Sequence, residues 1–355
     1  MENLYKILSL NDGNNSTLGG LFSILNLEKP HIVMLQEVTL SSEQLSLVVS
    51  KYGYKADTNV NTTDQTALGT GFVWKSSLPI SEIYNVVECR SQCLKLGAYN
   101  FVNVYAPSGS QNKQTRRNFF GQDIFRVVRG LAKSAPIIGG DFNCILSSKD
   151  TENNFSDKKC PALQELVNSF NYTDAYRSLH PEGREYTFCR PSCAASRLDR
   201  FYLPQYLVGN LKSVTHLASL SDHKYSVMLV SLPDVTKLPE PAISSSPYWK
   251  LNTSILKDED FLENFSKMYQ KLQSKKSEFS DIALWWDYCA KPSIKKFCMA
   301  VSTFLSDIRN DTKKYIFSYL NVVLRKREWK EVARVRQEIT EILQHEAMGF
   351  IVRSN

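Results

Sequence analysis

The sequence has no long run of apolar residues. None of its 355 residues lies in a stretch near the roughly 18 apolar residues that a membrane-spanning helix needs. The first six residues lack the basic, apolar and small-residue succession of a signal peptide. The composition, 43% hydrophobic and 22% charged, is that of a globular protein. We therefore expect an intracellular protein, nuclear or cytoplasmic or both, without a membrane partner.

Closely spaced cysteines are few. Of the eight cysteines, only Cys89/Cys93 and Cys189/Cys193 form near pairs, and both have C-x3-C spacing. Structural zinc sites usually combine two close Cys or His pairs, often with C-x2-C spacing. A four-thiolate zinc site from these pairs is the minor alternative. We expect reduced, mostly structural thiols.

Several catalytic motifs are missing. The sequence contains no G-x-S-x-G, no Walker A loop and no H-E-x-x-H. These absences argue against a serine hydrolase with a nucleophile elbow, a P-loop nucleotide hydrolase and a zinc protease of that type. A Tyr-x-Asp-Asp motif is also missing, so we expect no reverse transcriptase in this chain.

Residues 1–232 alternate between strand and helix patterns. Apolar runs bounded by Gly, Pro, Asn and Ser predict strands at Tyr5–Leu10, His31–Leu35, Gly71–Trp74, Tyr99–Tyr105, Pro136–Ile138, Leu198–Leu203 and Tyr225–Leu232. Helical spacing of apolar residues predicts helices at Leu18–Leu27, Ser42–Ser50, Arg116–Leu131 and Cys160–Phe170. This mixture predicts an α/β layered domain, with two stacked sheets and outer helices.

The chain changes character after residue 232. Residues 233–247 are rich in Pro and Ser, which predicts an extended linker. Residues 248–355 carry helical patterns and more basic charge. Lys and Arg exceed Asp and Glu by 23 to 21 through Asp234, and by 20 to 15 from Val235 onward. A polyanion partner and a solvated helical surface explain this excess equally well.

Polar groups follow several of the predicted strands. Asn11 ends the first, and Glu37 follows the second. Gly140-Asp141-Phe142-Asn143 and Ser221-Asp222-His223 follow later apolar runs. Functional groups are often displayed at strand ends of a rigid scaffold. Each motif alone is better explained as a turn or a surface group.

The chemistry of these groups suits phosphate ester cleavage. Glu37 is a hard oxygen ligand of the kind that Mg²⁺ prefers. Asp141 can align or deprotonate a water molecule, and Asn143 can donate to a phosphate oxygen. An Asp beside His223 would favour the imidazolium, which stabilises negative charge on a phosphate.

The motifs together resemble the endonuclease/exonuclease/phosphatase superfamily. The ordered set is Leu10-Asn11, Leu35-Gln36-Glu37, Val104-Tyr105-Ala106-Pro107, Gly140-Asp141-Phe142-Asn143, Tyr186-Thr187-Phe188, Arg197-Leu198-Asp199-Arg200 and Ser221-Asp222-His223. Within it, the chain is most similar to the apurinic/apyrimidinic-endonuclease-like enzymes of LINE-type non-LTR retrotransposons. Two segments carry that likeness, 196–200 and 247–252.

The resemblance implies a fold and a domain organisation. We expect a four-layer α/β sandwich over residues 1–232, the linker over 233–247, and a basic, mainly α-helical connector over 248–355. The chain would then be the front part of a longer polyprotein. The loops expected to read the target are Cys189–Ser196 and Asn59–Gly69.

The resemblance also implies an activity and its residues. A Mg²⁺-dependent endonuclease, with Mn²⁺ as an alternative cofactor, would nick target DNA and expose a 3′-hydroxyl primer. DNA is the expected partner, and RNA is a further candidate for the C-terminal region. The alternatives are an abasic-site repair nuclease, a phosphoinositide phosphatase, or a non-catalytic nucleic-acid-binding remnant. The implied residues are Asp141, His223, Asp199, Tyr105 and Asn143 for catalysis, Glu37, Asn11 and Asp222 for the metal, and Thr187, Ser221 and Arg197 for phosphate or DNA.

Overall fold

The structure, a computed structural model, describes residues 3–11, 17–61, 68–131, 134–152, 159–191, 193–233, 235, 249 and 251–354. Twelve strands lie in these ranges. They are β1 (Leu4–Asn11), β2 (Ile32–Val38), β3 (Tyr54–Asn59), β4 (Gly69–Lys75), β5 (Ile80–Val87), β6 (Ser91–Leu96), β7 (Tyr99–Tyr105), β8 (Ile137–Asp141), β9 (Tyr172–Asp174), β10 (Asp199–Pro204), β11 (Leu211–Leu217) and β12 (Tyr225–Ser231).

Helices cover the sheets and form most of the C-terminal part. They are α1 (Thr17–Glu28), α2 (Ser42–Val49), α3 (Lys113–Asn118), α4 (Phe125–Gly130), α5 (Pro161–Ser169), α6 (Ala175–Leu179), α7 (Glu259–Ser274), α8 (Ile282–Trp285), α9 (Lys291–Lys326) and α10 (Trp329–Ser354). A π-helical turn, Phe119–Ile124, joins α3 to α4. Among the described residues, no helix is apolar enough over a sufficient length to cross a membrane.

The strands form two six-stranded sheets. The first has the order β11-β12-β1-β2-β4-β3, and the second has the order β5-β6-β7-β8-β10-β9. Each contains one parallel pair, β1 with β2 and β7 with β8, and its other pairs are antiparallel. The two parallel pairs bring the carboxyl ends of four strands to the same region.

Alternate residues of each strand face different layers. Ile7 and Met34 of the first sheet share one buried cluster with Phe101 and Phe201 of the second. The opposite face of the first sheet packs against α1 and α2, and the opposite face of the second packs against the α3–α4 segment and α5. The order helix, sheet, sheet, helix confirms the predicted four-layer sandwich. Alternate side chains of each strand point to opposite faces, so each sheet packs on the other sheet with one face and on helices with the other.

The position before Asp141, Gly140, requires glycine. Its φ is +138°, a conformation that side chains disfavour, and an added Cβ would lie 2.0 Å from the Val104 carbonyl oxygen. Glycine therefore lets β8 run close beside β7 and brings Asp141 to the strand end.

The described residues divide into two compact units. One contains Met1–Ile243 with Phe317–Gln344, and the other contains Ser244–Ile316 with His345–Asn355. The second unit has its own small core, in which Ile255, Phe261 and Cys298 are buried together. The mainly helical C-terminal extension is confirmed. The linker predicted at 233–247 lies mostly outside the described residues, as do residues 62–67 of the predicted Asn59–Gly69 loop. The predicted domain boundaries stay a prediction.

Candidate active site

The ends of β1, β2, β7 and β8 bring four predicted residues together. They are Asn11, Glu37, Tyr105 and Asp141. The strand pairing shifts between Gln36 and Val38, and Glu37 takes a φ of +62°. This irregularity in β2 moves Glu37 out of regular strand alternation. Its carboxylate then contacts the ends of β1 and β7.

Asp141 accepts three hydrogen bonds. The backbone N–H of Asn143 donates to Oδ1 at 2.9 Å, and the side-chain amides of Asn143 and Asn11 each donate to Oδ2 at 3.0 Å. The side chain is almost fully buried. Burial, with the negative charge of Asp199, raises the pKa of Asp141 to about 7. Asp141 is therefore a fixed carboxylate poised to accept a proton near neutral pH.

Glu37 is held by two neutral donors. The Asn11 amide donates to Glu37 Oε1 at 3.3 Å, and the Tyr105 hydroxyl donates to the same oxygen at 3.2 Å. Burial raises the pKa of Tyr105, so its hydroxyl keeps its proton at neutral pH. The Glu37 side chain is half-buried and lines the cavity. These contacts orient a hard oxygen ligand toward the cavity.

His223 pairs with Asp199. The distance from His223 Nδ1 to Asp199 Oδ2 is 2.9 Å, and both side chains are buried. Burial alone would lower the pKa of His223, but the Asp199 carboxylate outweighs it and raises the pKa to about 10. Strand β10 places Asp199 opposite Asp141 in the second sheet. One ligand atom from each of Asp141, Asp199 and His223 lies within 4.8 Å of the others.

Asp222, which the resemblance implied for the metal site, neighbours His223 in the chain, but His223 Nδ1 bonds Asp199. The Asp222 carboxylate accepts a hydrogen bond from Arg190, and its role at the metal stays a prediction. Asp222 is the third negative charge that favours the His223 imidazolium, after Asp199 and Asp141. No local sequence pattern indicates the contact with Asp199, which lies 24 residues before His223 in the chain.

A cavity of about 690 Å³ opens at these groups. Glu37, Asp141, Asn143 and His223 line one part of it. Phe188 and Leu198 of the quoted motifs and Arg190 also line it. Sequence reasoning missed the remaining lining residues, which are Ser108, Gly109, Ser110, Lys113 and Arg116. Arg190 lies in the predicted target-reading loop, so that loop was a usable signal. Lys113 had no distinguishing pattern.

A family comparison agrees with this geometry. Residues 3–223 match the model of the Endonuclease/Exonuclease/phosphatase family, and this match covers more than half of the chain. The chain belongs to the Endonuclease/Exonuclease/phosphatase family. A curated relative, the Transposon TX1 uncharacterized 149 kDa protein of Xenopus laevis, is 30% identical over 217 residues. The matched region is 60% of this chain and 16% of that protein.

Solved structures share the fold. The AP endonuclease LMAP from Leishmania major has a TM-score of 0.55 at 18% identity, covering 65% of this chain and 89% of that one. A 3′ phosphatase, NExo from Neisseria, bound to a product DNA hairpin, also has a TM-score of 0.55 at 18% identity. That match covers 64% of this chain and all of the phosphatase.

The family match confirms the predicted membership of the endonuclease/exonuclease/phosphatase superfamily. The curated relative is a transposon protein, which agrees with the resemblance to retrotransposon enzymes, and this chain spans only a small part of its length. The solved structures show that the chain shares their fold.

The prediction that Arg197 binds DNA is wrong. Its side chain has no exposed surface. Nε donates to Asp150 at 2.9 Å, and the terminal nitrogens donate to Asp174 at 3.1 and 2.6 Å. An arginine bonded to two carboxylates in the interior has no face left for a phosphate. Arg197 therefore belongs to the motif, but its buried side chain stabilises the fold.

Two further residues predicted to bind phosphate use their hydroxyls inside the protein. Thr187 Oγ1 accepts from the backbone N–H groups of Leu198 and Asp199 at 2.9 and 3.0 Å. Ser221 Oγ donates to the Asn11 carbonyl at 2.8 Å. Thr187 therefore holds the start of β10, and Ser221 joins the His223 turn to the end of β1.

Asn143 also differs from its predicted role. Its side-chain amide donates both to Asp141 and, at 2.9 Å, to the Ala106 carbonyl. These two bonds use both amide hydrogens. Asn143 thus positions Asp141 in this structure, and a donation to phosphate would have to replace one of these bonds.

We expect Arg197→Met to destabilise the fold. The change leaves Asp150 and Asp174 in or near the interior without their main cation, and such losses typically cost about 3–5 kcal/mol. Urea denaturation of the two proteins measures this difference. Lys149→Met is the control, because the Lys149–Glu182 pair is exposed and should contribute under about 1 kcal/mol. Equal losses in the two variants would contradict a structural role for Arg197.

Proposed function

We propose that this chain is a divalent-metal-dependent DNA endonuclease that nicks one strand and leaves a 3′-hydroxyl primer for retrotransposition. The observation that carries the proposal is the pairing of two devices at one cavity. One is the carboxylate Asp141, held by three donors, and the other is the imidazolium His223, held by Asp199. Together they can activate a water molecule and stabilise the charge that develops on phosphate.

The residues present fit a divalent cation. Glu37 and Asp141 offer hard oxygen atoms beside the cavity. Asp199 Oδ1 is buried and has no hydrogen-bond partner in the part of the chain that the structure describes, as expected for an oxygen facing a positive ligand. Glu37 would hold the ion, with the Asn11 amide and Tyr105 orienting it. A bound Mg²⁺, or Mn²⁺, supplies Lewis acidity at the scissile phosphate.

The chain's own residues account for the rest of the reaction. Asp141 accepts a proton from a water molecule aligned with the P–O3′ bond. The oxygen of that water forms a bond to phosphorus as the P–O3′ bond breaks, which leaves a 5′-phosphate. The departing O3′ takes a proton from a solvent water and becomes the 3′-hydroxyl. His223, as an imidazolium, stabilises the added negative charge on the phosphate oxygens. Arg190 and Lys113 at the rim attract the DNA backbone.

Plasmid nicking tests the proposal. Supercoiled DNA incubated with the protein and Mg²⁺ should convert to open circles, and EDTA should prevent the conversion. Sealing of the nicks by DNA ligase would show 3′-hydroxyl and 5′-phosphate ends. Absence of nicking, or nicking that survives EDTA, would reject the proposal. Abasic DNA, a 3′-phosphorylated hairpin and a phosphoinositide then test the other substrates that this fold can cleave. Contact of the C-terminal region with RNA stays a prediction.

We expect Glu37→Gln to weaken metal use more than DNA binding. The substitution keeps the shape and the acceptor that Asn11 and Tyr105 contact, but it removes the negative charge. The Mg²⁺ concentration that gives half the maximal nicking rate should rise by about tenfold or more, which is the usual loss of affinity when part of a metal site is removed. A Mg²⁺ titration of the nicking rate measures this shift. An unchanged midpoint would remove Glu37 from the metal site.

A further inference from the structure

Three arginines of the C-terminal helices bind segments around the active site. We define the C-terminal helix pair as residues 317–344, which comprise the end of α9 and the start of α10. Its apolar side chains Leu320, Val323, Val335 and Ile339 are buried, and the pair belongs to the same compact unit as both sheets. This part of the extension is therefore packed into the nuclease unit.

The first contact reaches the catalytic turn directly. The Arg336 guanidinium donates a hydrogen bond to the backbone carbonyl of Ser221, two residues before His223. Arg336 is half-buried, and its Nε has no hydrogen-bond partner among the described residues. Burial lowers the pKa of Arg336, and the charge of Asp222 opposes that effect. Burying a cation costs free energy that burying an apolar side chain would not. The contact between Arg336 and the turn therefore calls for a functional explanation.

Ser221 connects this contact to both catalytic devices. Its Oγ donates to the Asn11 carbonyl at 2.8 Å and accepts from the His223 backbone N–H at 3.0 Å. The Asn11 amide in turn bonds Asp141 and Glu37. A displacement of Ser221 would therefore change the position of His223 and loosen the donor that holds Asp141.

Two more contacts hold the loop that faces the cavity. Arg325 donates to Glu185 at 2.5 Å, just before the Cys189–Ser196 loop. Arg327 pairs with Glu152, and the same Glu152 oxygen accepts from the Ala195 backbone N–H at 3.2 Å. The helix pair thus contacts the segment that precedes the loop and, through Glu152, the C-terminal end of the loop.

We propose that the C-terminal helix pair completes the active site, and that Arg336 is a positioning residue for the turn Ser221–His223. This inference rests on the proposed nuclease function for its effect on rate. A chain cut within residues 233–247 would keep every catalytic side chain but lose the group that holds their turn. Small displacements of catalytic groups lower turnover strongly even when the side chains remain.

The test compares three variants of the full chain. Arg336→Gln replaces the guanidinium by a shorter, neutral side chain. Arg336→Lys keeps a positively charged donor for the Ser221 carbonyl. Arg334→Gln is the matched control, because Arg334 lies on the same helix and pairs only with Glu331 and Glu338 among the ion pairs of the described residues. Nicking kinetics are measured with Mg²⁺ over a range of DNA concentrations, and melting temperatures are measured alongside.

We expect a loss in kcat with little change in KM. Arg336→Gln should lower kcat by about 10- to 100-fold, the scale of a misplaced catalytic group, and Arg336→Lys should recover part of it. Arg334→Gln should match the wild type. An unchanged kcat in Arg336→Gln would overturn the proposal. A raised KM with unchanged kcat and a weaker salt dependence would also overturn it, since Arg336 would then contact DNA directly.

Amide hydrogen exchange separates this inference from the nuclease proposal. Without metal or DNA, the amides of Ser221, His223 and Lys224 are bonded to Ser219 Oγ, Ser221 Oγ and the Thr187 carbonyl. They should exchange faster in Arg336→Gln and keep the wild-type rate in Arg334→Gln. If the wild type nicks no DNA, the nuclease proposal fails and exchange alone decides on Arg336. Equal protection in all three proteins would overturn the positioning role.

Discussion

Asp141→Asn should abolish nicking without unfolding the protein. Asparagine has almost the same shape, but it cannot accept a proton from water. Loss of a general base typically lowers turnover by about 10²–10⁴-fold, and the buried, fully bonded position of Asp141 favours the upper end. Single-turnover nicking with saturating enzyme measures the rate of the chemical step directly. A rate within tenfold of the wild type would show that another group activates the water.

Stability should change little in this variant, because two effects oppose each other. Removing the carboxylate relieves its burial and its repulsion by Asp199, which together raise the pKa of Asp141 to about 7. The new amide, however, replaces an oxygen that accepts from both Asn11 and Asn143. The relief is full above pH 7 and shrinks as pH falls, and it disappears below the ordinary pKa of 3.8, where the wild-type carboxyl is protonated in both the folded and the unfolded state. Thermal melting at two pH values separates the two effects.

The same pKa sets the acid limb of the wild-type rate. Only the ionised form of Asp141 can accept a proton, so kcat/KM should rise with pH and level off once the carboxyl is ionised. The midpoint should lie at pH 7 or below, because a bound divalent cation favours the carboxylate. A profile from about pH 5 to about pH 9 covers this limb.

The sequence was most informative where chemistry follows a strand. Asn11, Glu37 and Asp141 each follow an apolar run, and the structure brings them together with Tyr105. The carboxyl ends of β1 and β2 meet at an edge of the first sheet, and those of β7 and β8 meet at an edge of the second. Strand-end position therefore indicated candidates, and the likeness to a known family assigned their roles and added Tyr105.

The sequence failed where partners are fixed by register or burial. His223 lies just before β12 of the first sheet and pairs with Asp199 of β10 in the second sheet, and no local pattern reveals a contact between segments of two sheets. The resemblance implied a DNA contact for Arg197 because it belongs to the motif at 197–200, and the motif does not show that the side chain is buried. Its two carboxylate partners come from distant segments, near residues 150 and 174. Strand β5 was also not predicted, since it is mostly half-buried and its polar and apolar residues do not alternate regularly.

The C-terminal helices show a third kind of failure. Helical spacing and basic charge predicted the helices, but they predicted equally a nucleic-acid contact and a solvated surface. Three of the arginines instead bond Glu185, Glu152 and the Ser221 carbonyl. The number of charged residues gives the net charge of this region, but only the fold shows which of these side chains are paired within the protein and which are free to contact a ligand.

Asp199→Asn should lower turnover strongly and shift the alkaline limb. Asp199 is the main reason that His223 keeps its proton up to a pKa of about 10, against an ordinary value of 6.5. Without that carboxylate, burial favours neutral imidazole, so the pKa should fall toward or below 6.5. At pH 8 the variant would lack both the positive charge and the bond that orients the ring. Losing the orienting carboxylate of such a pair costs about 10³–10⁴-fold in kcat.

The pH dependence distinguishes this account from simple misfolding. Asp199→Asn should regain part of its relative activity as pH falls through 6.5, because the imidazolium form returns, although protonation of Asp141 limits the gain. The comparison is Asp222→Asn, which lies next to His223 in the chain but bonds Arg190, so its alkaline limb should move much less. Titration of the His223 ring protons by NMR gives the pKa without relying on activity. Equal pKa values for His223 in the wild type and Asp199→Asn would show that the imidazolium is maintained by other charges, and the assignment of Asp199 as its partner in catalysis would fail.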